Sequence, residues 1–180
     1  MEEKIIDLGS NEYFMREALR QAARAAAANE VPVGAVIVRD GRVIARAHNQ
    51  VETLKDATAH AEILAITQAS QAVNDWRLAG CTMYVTKEPC PMCAGAVVLA
   101  RLERMVFGAS DPKGGGAGGL FNIVANPVLN HRVELTSGVL QNECAGLLQQ
   151  FFMEKRQTSH EIPPEIPNPH GPTSTTNLSP

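Results

Sequence analysis

The sequence predicts an α/β fold, a three-layer sandwich in which helices cover both faces of a mixed sheet of about five strands. Three observations carry this expectation. Helical and strand-like segments alternate along the chain, an Asp-Gly dipeptide separates two apolar runs near its start, and the patterned region closes on a further amphipathic helix.

Each element has its own signal. From Asn11 to about Asn29, Phe14, Ala18, Leu19, Ala22 and Ala25 or Ala26 recur at spacings of three and four. Alanine is the strongest helix former, and Ser10 or Asn11 can cap the first turn by accepting a free backbone N–H. Val33 to Val38 and Arg42 to Ala47 read as a hairpin about Asp40-Gly41, two positions that tolerate positive φ. Thr58 to about Val73 predicts a second helix with Ile63, Leu64 and Ile66 on its apolar face. A strand is expected at Cys81 to Thr86. A helix then runs from Pro91 to about Leu102, with proline in the first turn, where its missing N–H costs nothing. Met105 to Phe107 and Arg132 to Leu135 supply two more strands, and glycine-rich Ser110 to Gly119 between them is a loop. Val139 to about Arg156 is the closing helix.

Composition separates two regions. Residues 1–157 form one domain, long enough to bury a substantial core. From 158 to 180, Pro163, Pro164, Pro167, Pro169 and Pro172 stand among polar residues. Such a segment buries too little surface to offset its ordering entropy, so a disordered tail is expected. Of all residues 44% are hydrophobic and 19% charged, as in ordinary soluble proteins. No apolar run approaches the roughly 20 residues of a membrane span, and the acidic start lacks a signal-peptide profile, so no membrane partner and a cytoplasmic location are expected. The formal net charge of −3 exerts no global pull on nucleic acid, so any RNA contact requires a local basic face. Arg101, Arg104, Lys155 and Arg156 are candidates for one.

The chemistry concentrates in two short segments, His60-Ala61-Glu62 and Pro89-Cys90-Pro91-Met92-Cys93, each where a helix begins. Residues three apart share a helix face, and a helix N-terminus favours thiolate, the metal-binding form. One imidazole and two thiolates make three ligands for tetrahedral zinc. A structural site closes with a fourth protein ligand, whereas a catalytic one leaves that position to water. No fourth Cys or His lies near either segment. Zinc lowers the pKa of water toward about 7, and Glu62, two residues beyond His60, is placed to carry protons from such a water. Cys81 and Cys144 lie among apolar residues and are expected to be inert packing groups.

His-x-Glu followed by Pro-Cys-x-x-Cys resembles the signature of zinc-dependent nucleobase deaminases. Further segments narrow the resemblance to the bacterial tRNA adenosine deaminases of the cytidine/deoxycytidylate deaminase superfamily. They are Glu30-Val31-Pro32-Val33-Gly34-Ala35, Asn49, Thr58 to Glu62, Glu88-Pro89-Cys90, Cys93 to Ala96, Gly108 to Gly119, Asn130 to Glu134, and Phe151-Phe152 with Arg156. The resemblance implies a cytidine-deaminase-like fold, one Zn2+ per subunit held by His60, Cys90 and Cys93, proton shuttling by Glu62, and a homodimer. It further implies that Asn49 hydrogen-bonds the adenine, that Val33 and the His60 ring flank it, and that Ala61 belongs to the substrate site. Asp111 and Lys113 would hold the sugar-phosphate of a tRNA anticodon loop, while Phe152 and Arg156 would meet flanking nucleotides. The implied reaction is conversion of wobble adenosine to inosine, in an arginine tRNA. Pro112 and Gly114-Gly115-Gly116 depart slightly from the family's loop pattern.

The residues alone leave other readings open. Asn49 could be a structural turn residue, the glycines a plain linker, and at least one of Phe151 and Phe152 core. A deaminase of free cytidine, deoxycytidylate or guanine shares the zinc motif, and a non-catalytic RNA-binding zinc module would share the ligands without needing Glu62.

Overall fold

The structure, a computed structural model, describes Asp7 and residues 9–159. The chain forms α1 (Asn11–Ala27), β1 (Gly34–Arg39), β2 (Arg42–His48), α2 (Val51–Leu54), α3 (Ala61–Val73), β3 (Cys81–Lys87), α4 (Pro91–Leu99), β4 (Arg104–Ala109), β5 (Glu134–Thr136) and α5 (Gln141–Ser159). Residues 160–180, most of the expected tail, lie outside the described part.

The strands form one five-stranded sheet in the order β2-β1-β3-β4-β5. β1 pairs antiparallel with both β2 and β3, while β3–β4 and β4–β5 are parallel, which makes the sheet mixed. Asp40 and Gly41 turn the β1–β2 hairpin with φ of 50° and 69°, the conformation that the Asp-Gly signal requires. Ser10 caps α1, its hydroxyl accepting from the Tyr13 N–H at 3.2 Å.

Side chains alternate across the sheet and build a core on each face. Ala35 and Ile37 point toward α3 and α4, joining Ala65, Met83, Val85, Val97 and Phe107. Val36 and Val38 point the other way, joining Phe14, Met15 and Ala18 of α1, Tyr84, Val106, and Cys144 of α5. Each fully buried Val, Ile or Met contributes about 1.5–3 kcal/mol relative to exposure. Gly34 allows α1 to lie directly on the sheet, since a Cβ there would stand 2.1 Å from the Ala18 carbonyl oxygen. Cys81 and Cys144 are buried packing groups, and burial pushes the Cys144 thiol up to about 12.

Three differences from the sequence reading have physical reasons. α3 buries Ala61, Glu62, Ala65 and Ala69 rather than the expected Ile63, Leu64 and Ile66, since small residues at i, i+4 and i+8 let the helix approach the sheet closely. The larger side chains flank that stripe; Leu64 and Ile66 are partly buried against the core. α4 stops at Leu99, short of the expected Leu102, because Arg101 takes a φ of 59° and turns Leu102 into the core. The one-turn helix α2 carries no periodic signal that would announce it.

Parallel pairing of β3 with β4 creates the place for a site. Lys87 at the end of β3 is in register with Ala109 at the end of β4. The two strands therefore release their chains side by side, one into Glu88-Pro89-Cys90 and the other into the glycine-rich segment. The crevice beyond the carboxyl ends of parallel strands is the usual ligand position in such sheets.

Candidate active site

His60 and Cys90 are the N-cap residues of α3 and α4, both with extended backbones and neither using its side chain to cap. Pro91 at the first position of α4 presets the helical φ, and Cys93, one turn in, turns its sulfur to the same side as Cys90. The three donor atoms converge: His60 Nδ1 lies 3.6 Å from Cys90 Sγ and 3.5 Å from Cys93 Sγ. Zinc bonds of roughly 2.0 Å to nitrogen and 2.3 Å to sulfur at tetrahedral angles demand an N···S separation of about 3.5 Å. The residues thus fit a zinc ion, and among the described residues they are the group of donors close enough to hold a metal.

The electrostatics suit a cation. Hydrogen bonds from the Cys93 thiol and from His60 hold the Cys90 thiol down at about 3, which favours its thiolate form. Cys93, the donor in that pair and buried besides, is pushed up. The hydrogen bond to Cys90 raises the His60 imidazole, and nearby Glu62 reinforces the shift.

Glu62 stands in the first turn of α3 and is 4% exposed. Burial pushes its carboxyl above the ordinary carboxylate range, with its own backbone N–H and His60 opposing. A carboxyl in such surroundings holds a proton more readily than an exposed one, which suits it to proton transfer.

His60, Glu62 and Cys90 line a cleft of about 870 Å³. Val33 and Asn49 share that lining, as the sequence reading expects, and so do Phe151 and Phe152 of α5. Phe151 is nearly buried while Phe152 is 46% exposed, so one ring packs and the other is presented to solvent. Asn49 has structural bonds and also faces the cleft. Its backbone N–H donates to the Val33 carbonyl at 3.0 Å, its Nδ2 donates to Glu30 at 3.2 Å, and it borders the cleft.

The remaining candidates are not among the residues that line the cleft. Ala61 is fully buried, its methyl in the core beside Ala65. Asp111 forms an ion pair with Lys87 and accepts the N–H groups of Lys113 and Gly114, so its carboxylate folds the loop it belongs to. Lys113 and Arg156 are exposed, Arg156 one helical turn beyond Phe152. Arg104 pairs with Glu134 and donates to Asn11 and Thr136, which makes it a fastener rather than part of a basic rim.

Sequence reasoning did not single out Glu30, Lys87, Glu88 or Lys55, all of which line the cleft. Glu30 is buried and accepts the N–H groups of Glu52 and Thr53 as well as the Asn49 amide. Burial alone would raise its carboxyl, but these hydrogen bonds outweigh it and hold the group below the ordinary range. Glu30 and Glu88 stand inside the motifs Glu-Val-Pro and Glu-Pro-Cys, yet nothing local reveals which N–H groups they meet.

The profile of the MafB19-like deaminases matches residues 9–156. A tRNA-specific adenosine deaminase of Bacillus subtilis (strain 168) is 54% identical over 147 residues, spanning 82% of this chain and 91% of the relative. One from Aquifex aeolicus (strain VF5) is 52% identical over 145 residues, spanning 81% and 95%. A structure solved in work on A-to-I editing by tRNA:A34 deaminases at the wobble position of transfer RNA superimposes with a TM-score of 0.72 at 46% identity. It covers 76% of this chain and 99% of its own. The strand order, the helix-borne His/Cys/Cys cluster and these likenesses agree, and the chain belongs to the family of tRNA-specific adenosine deaminases.

Proposed function

We propose that the protein converts adenosine to inosine at the wobble position of a tRNA anticodon, an arginine tRNA by the family resemblance, through zinc-dependent hydrolytic deamination. The observation that carries this reading is the buried Glu62 beside three converging donors in one cleft. A purely structural metal has no use for a carboxyl there. The names of the relatives support the choice of substrate.

His60, Cys90 and Cys93 would hold one Zn2+ per subunit, which when bound acts as a Lewis acid that makes water nucleophilic near neutral pH. Val33 and the His60 ring flank the base. Asn49 has one amide hydrogen engaged by Glu30, which orients its carbonyl oxygen and remaining hydrogen for the purine edge. Glu62 accepts a proton from the attacking water, delivers it to the ring nitrogen, and passes a second to the leaving amine, so that water and adenine become hypoxanthine and ammonia. Its raised affinity for protons suits both directions of transfer. An anticodon loop offers its base nearly unstacked, and the exposed Phe152 provides a ring for a flanking base.

Two further parts of the reading have their own support. No helix among the described residues is long and apolar enough to cross a membrane, in keeping with a cytoplasmic enzyme on tRNA. Met92 and Leu99, seven residues apart on α4, are exposed, as are Leu120 and Phe121 of the neighbouring loop. These apolar side chains suit a homodimer interface, and sedimentation as a monomer at micromolar concentration would remove that part.

The deciding experiment incubates zinc-loaded protein with an anticodon stem-loop bearing wobble adenosine, beside free adenosine, cytidine and guanine. Inosine is expected in the stem-loop and disappears in Glu62→Ala. Turnover of a free base or nucleoside with untouched RNA would keep the chemistry and discard the substrate.

A further inference from the structure

Glu88 is a further buried carboxylate at the cleft besides Glu62 and Glu30, 2% exposed, and the deamination chemistry does not use it. Its surroundings are entirely different from those of Glu62. One oxygen accepts the Asp111 N–H at 2.8 Å, while the other accepts those of Ala117 at 3.1 Å and Gly119 at 2.7 Å. Its own N–H donates to the Ala109 carbonyl, and the next residue, Pro89, accepts the Gly116 N–H at 2.7 Å. The glycine-rich segment is thus wrapped around one side chain. Gly115 and Gly119 close the wrap, for a Cβ on either would stand 2.2 and 2.6 Å from the carboxylate's nearest atom. Lys87, the preceding residue, adds an ion pair to Asp111.

We propose that Glu88 is a positioning residue that moulds segment 111–119 into the outer wall of the substrate site, so that affinity for the RNA loop depends on its carboxylate. The inference rests on the deaminase reading of the cleft. Three backbone donors facing one group require acceptors on both sides, which only a carboxylate among side chains of this shape provides. Glutamine would present an amide N–H to donors on one side and leave them unsatisfied. The wall is joined through Pro89 to the metal ligand Cys90, so loop and metal site share one register.

Glu88→Gln and Gly115→Ala disturb the same contact from opposite sides and are compared with the wild type, all zinc-loaded. The readouts are zinc content, hydrogen–deuterium exchange of segment 111–119 without RNA, and KM and kcat on the anticodon stem-loop. In both variants exchange at Asp111, Ala117 and Gly119 is expected to accelerate and KM to rise about tenfold or more. Zinc content stays stoichiometric, and kcat stays within about threefold. Unchanged exchange, or a fall in kcat at constant KM, overturns the proposal. Should Glu88→Gln fail to fold, Gly115→Ala decides by the same criteria. A wild type inactive on the stem-loop defeats the deaminase function, whereas the exchange arm still judges whether Glu88 orders the wall.

Discussion

Two regions of the cleft use the same side chain in opposite ways. At the start of α3, Glu62 is buried where desolvation dominates, and its carboxyl is pushed up toward holding a proton. At the loops, Glu30 and Glu88 are just as buried but their oxygens are met by several backbone N–H groups. A buried carboxylate given its full complement of donors fastens a structure, and one left to desolvation is available for proton transfer. On the proposed function, the difference divides the site into a chemical half, built on helix N-termini over the core, and a recognition half, built on loops tied down by side chains. Changes in the first half should strike turnover, and changes in the second should strike affinity or stability.

The largest expected effect lies in the chemical half. Removing zinc with a chelator should abolish deamination altogether, and restoring one equivalent should recover it. Cys93→Ala should not recover, and metal analysis would read below stoichiometric zinc. Glu62→Gln comes next, with kcat falling by about 10²–10⁴ while zinc content and KM stay close to wild type. A rise in KM instead would blur the division between the halves. In the recognition half, Phe152→Ala should raise KM on the stem-loop by roughly 5- to 100-fold, the worth of one stacked base, with kcat little changed.

The smallest effect concerns stability. Glu30→Gln should destabilise by about 1–3 kcal/mol at pH 7, read by urea unfolding, because donors facing the carboxylate lose an acceptor. The Glu30 carboxyl is held below its ordinary range in the fold. Its contribution is therefore complete above the unfolded value of about 4.3 and fades as pH falls through the lower folded value. The gap between wild type and variant should narrow below about pH 4. A gap that widened in acid would place Glu30 with Glu62, among carboxyls that favour the proton, and would dissolve the comparison.

The His/Cys/Cys donor cluster was legible because its information is local. His60, Cys90 and Cys93 are recognisable by donor chemistry, by proline at a helix start and by a three-residue spacing. The hairpin was legible for a similar reason, Asp-Gly having few other backbone uses. Asp111 shows where that reading thins. The residue is where the substrate loop was expected, but its carboxylate is spent on Lys87 and on its own loop. Arg104 likewise read as a surface cation and proves to tie β4 to β5 and α1.

By itself the sequence determined the alternation of elements, the turn, the caps and the residues proposed for metal binding and proton transfer. Each of these follows from the chemistry of one residue or from spacings within one helical turn. Tertiary structure decided which buried carboxylate meets which backbone. Glu88 and its partners are separated by 23 to 31 residues. They meet because β3 and β4 pair in parallel with Lys87 opposite Ala109. Glu30 reaches Asn49 and the N–H groups of α2 across 19 to 23 residues, after the β1–β2 hairpin folds them together. Proton affinity and hydrogen-bond role depend on the surroundings of a group in space, and those surroundings exist only once the sheet has set its register.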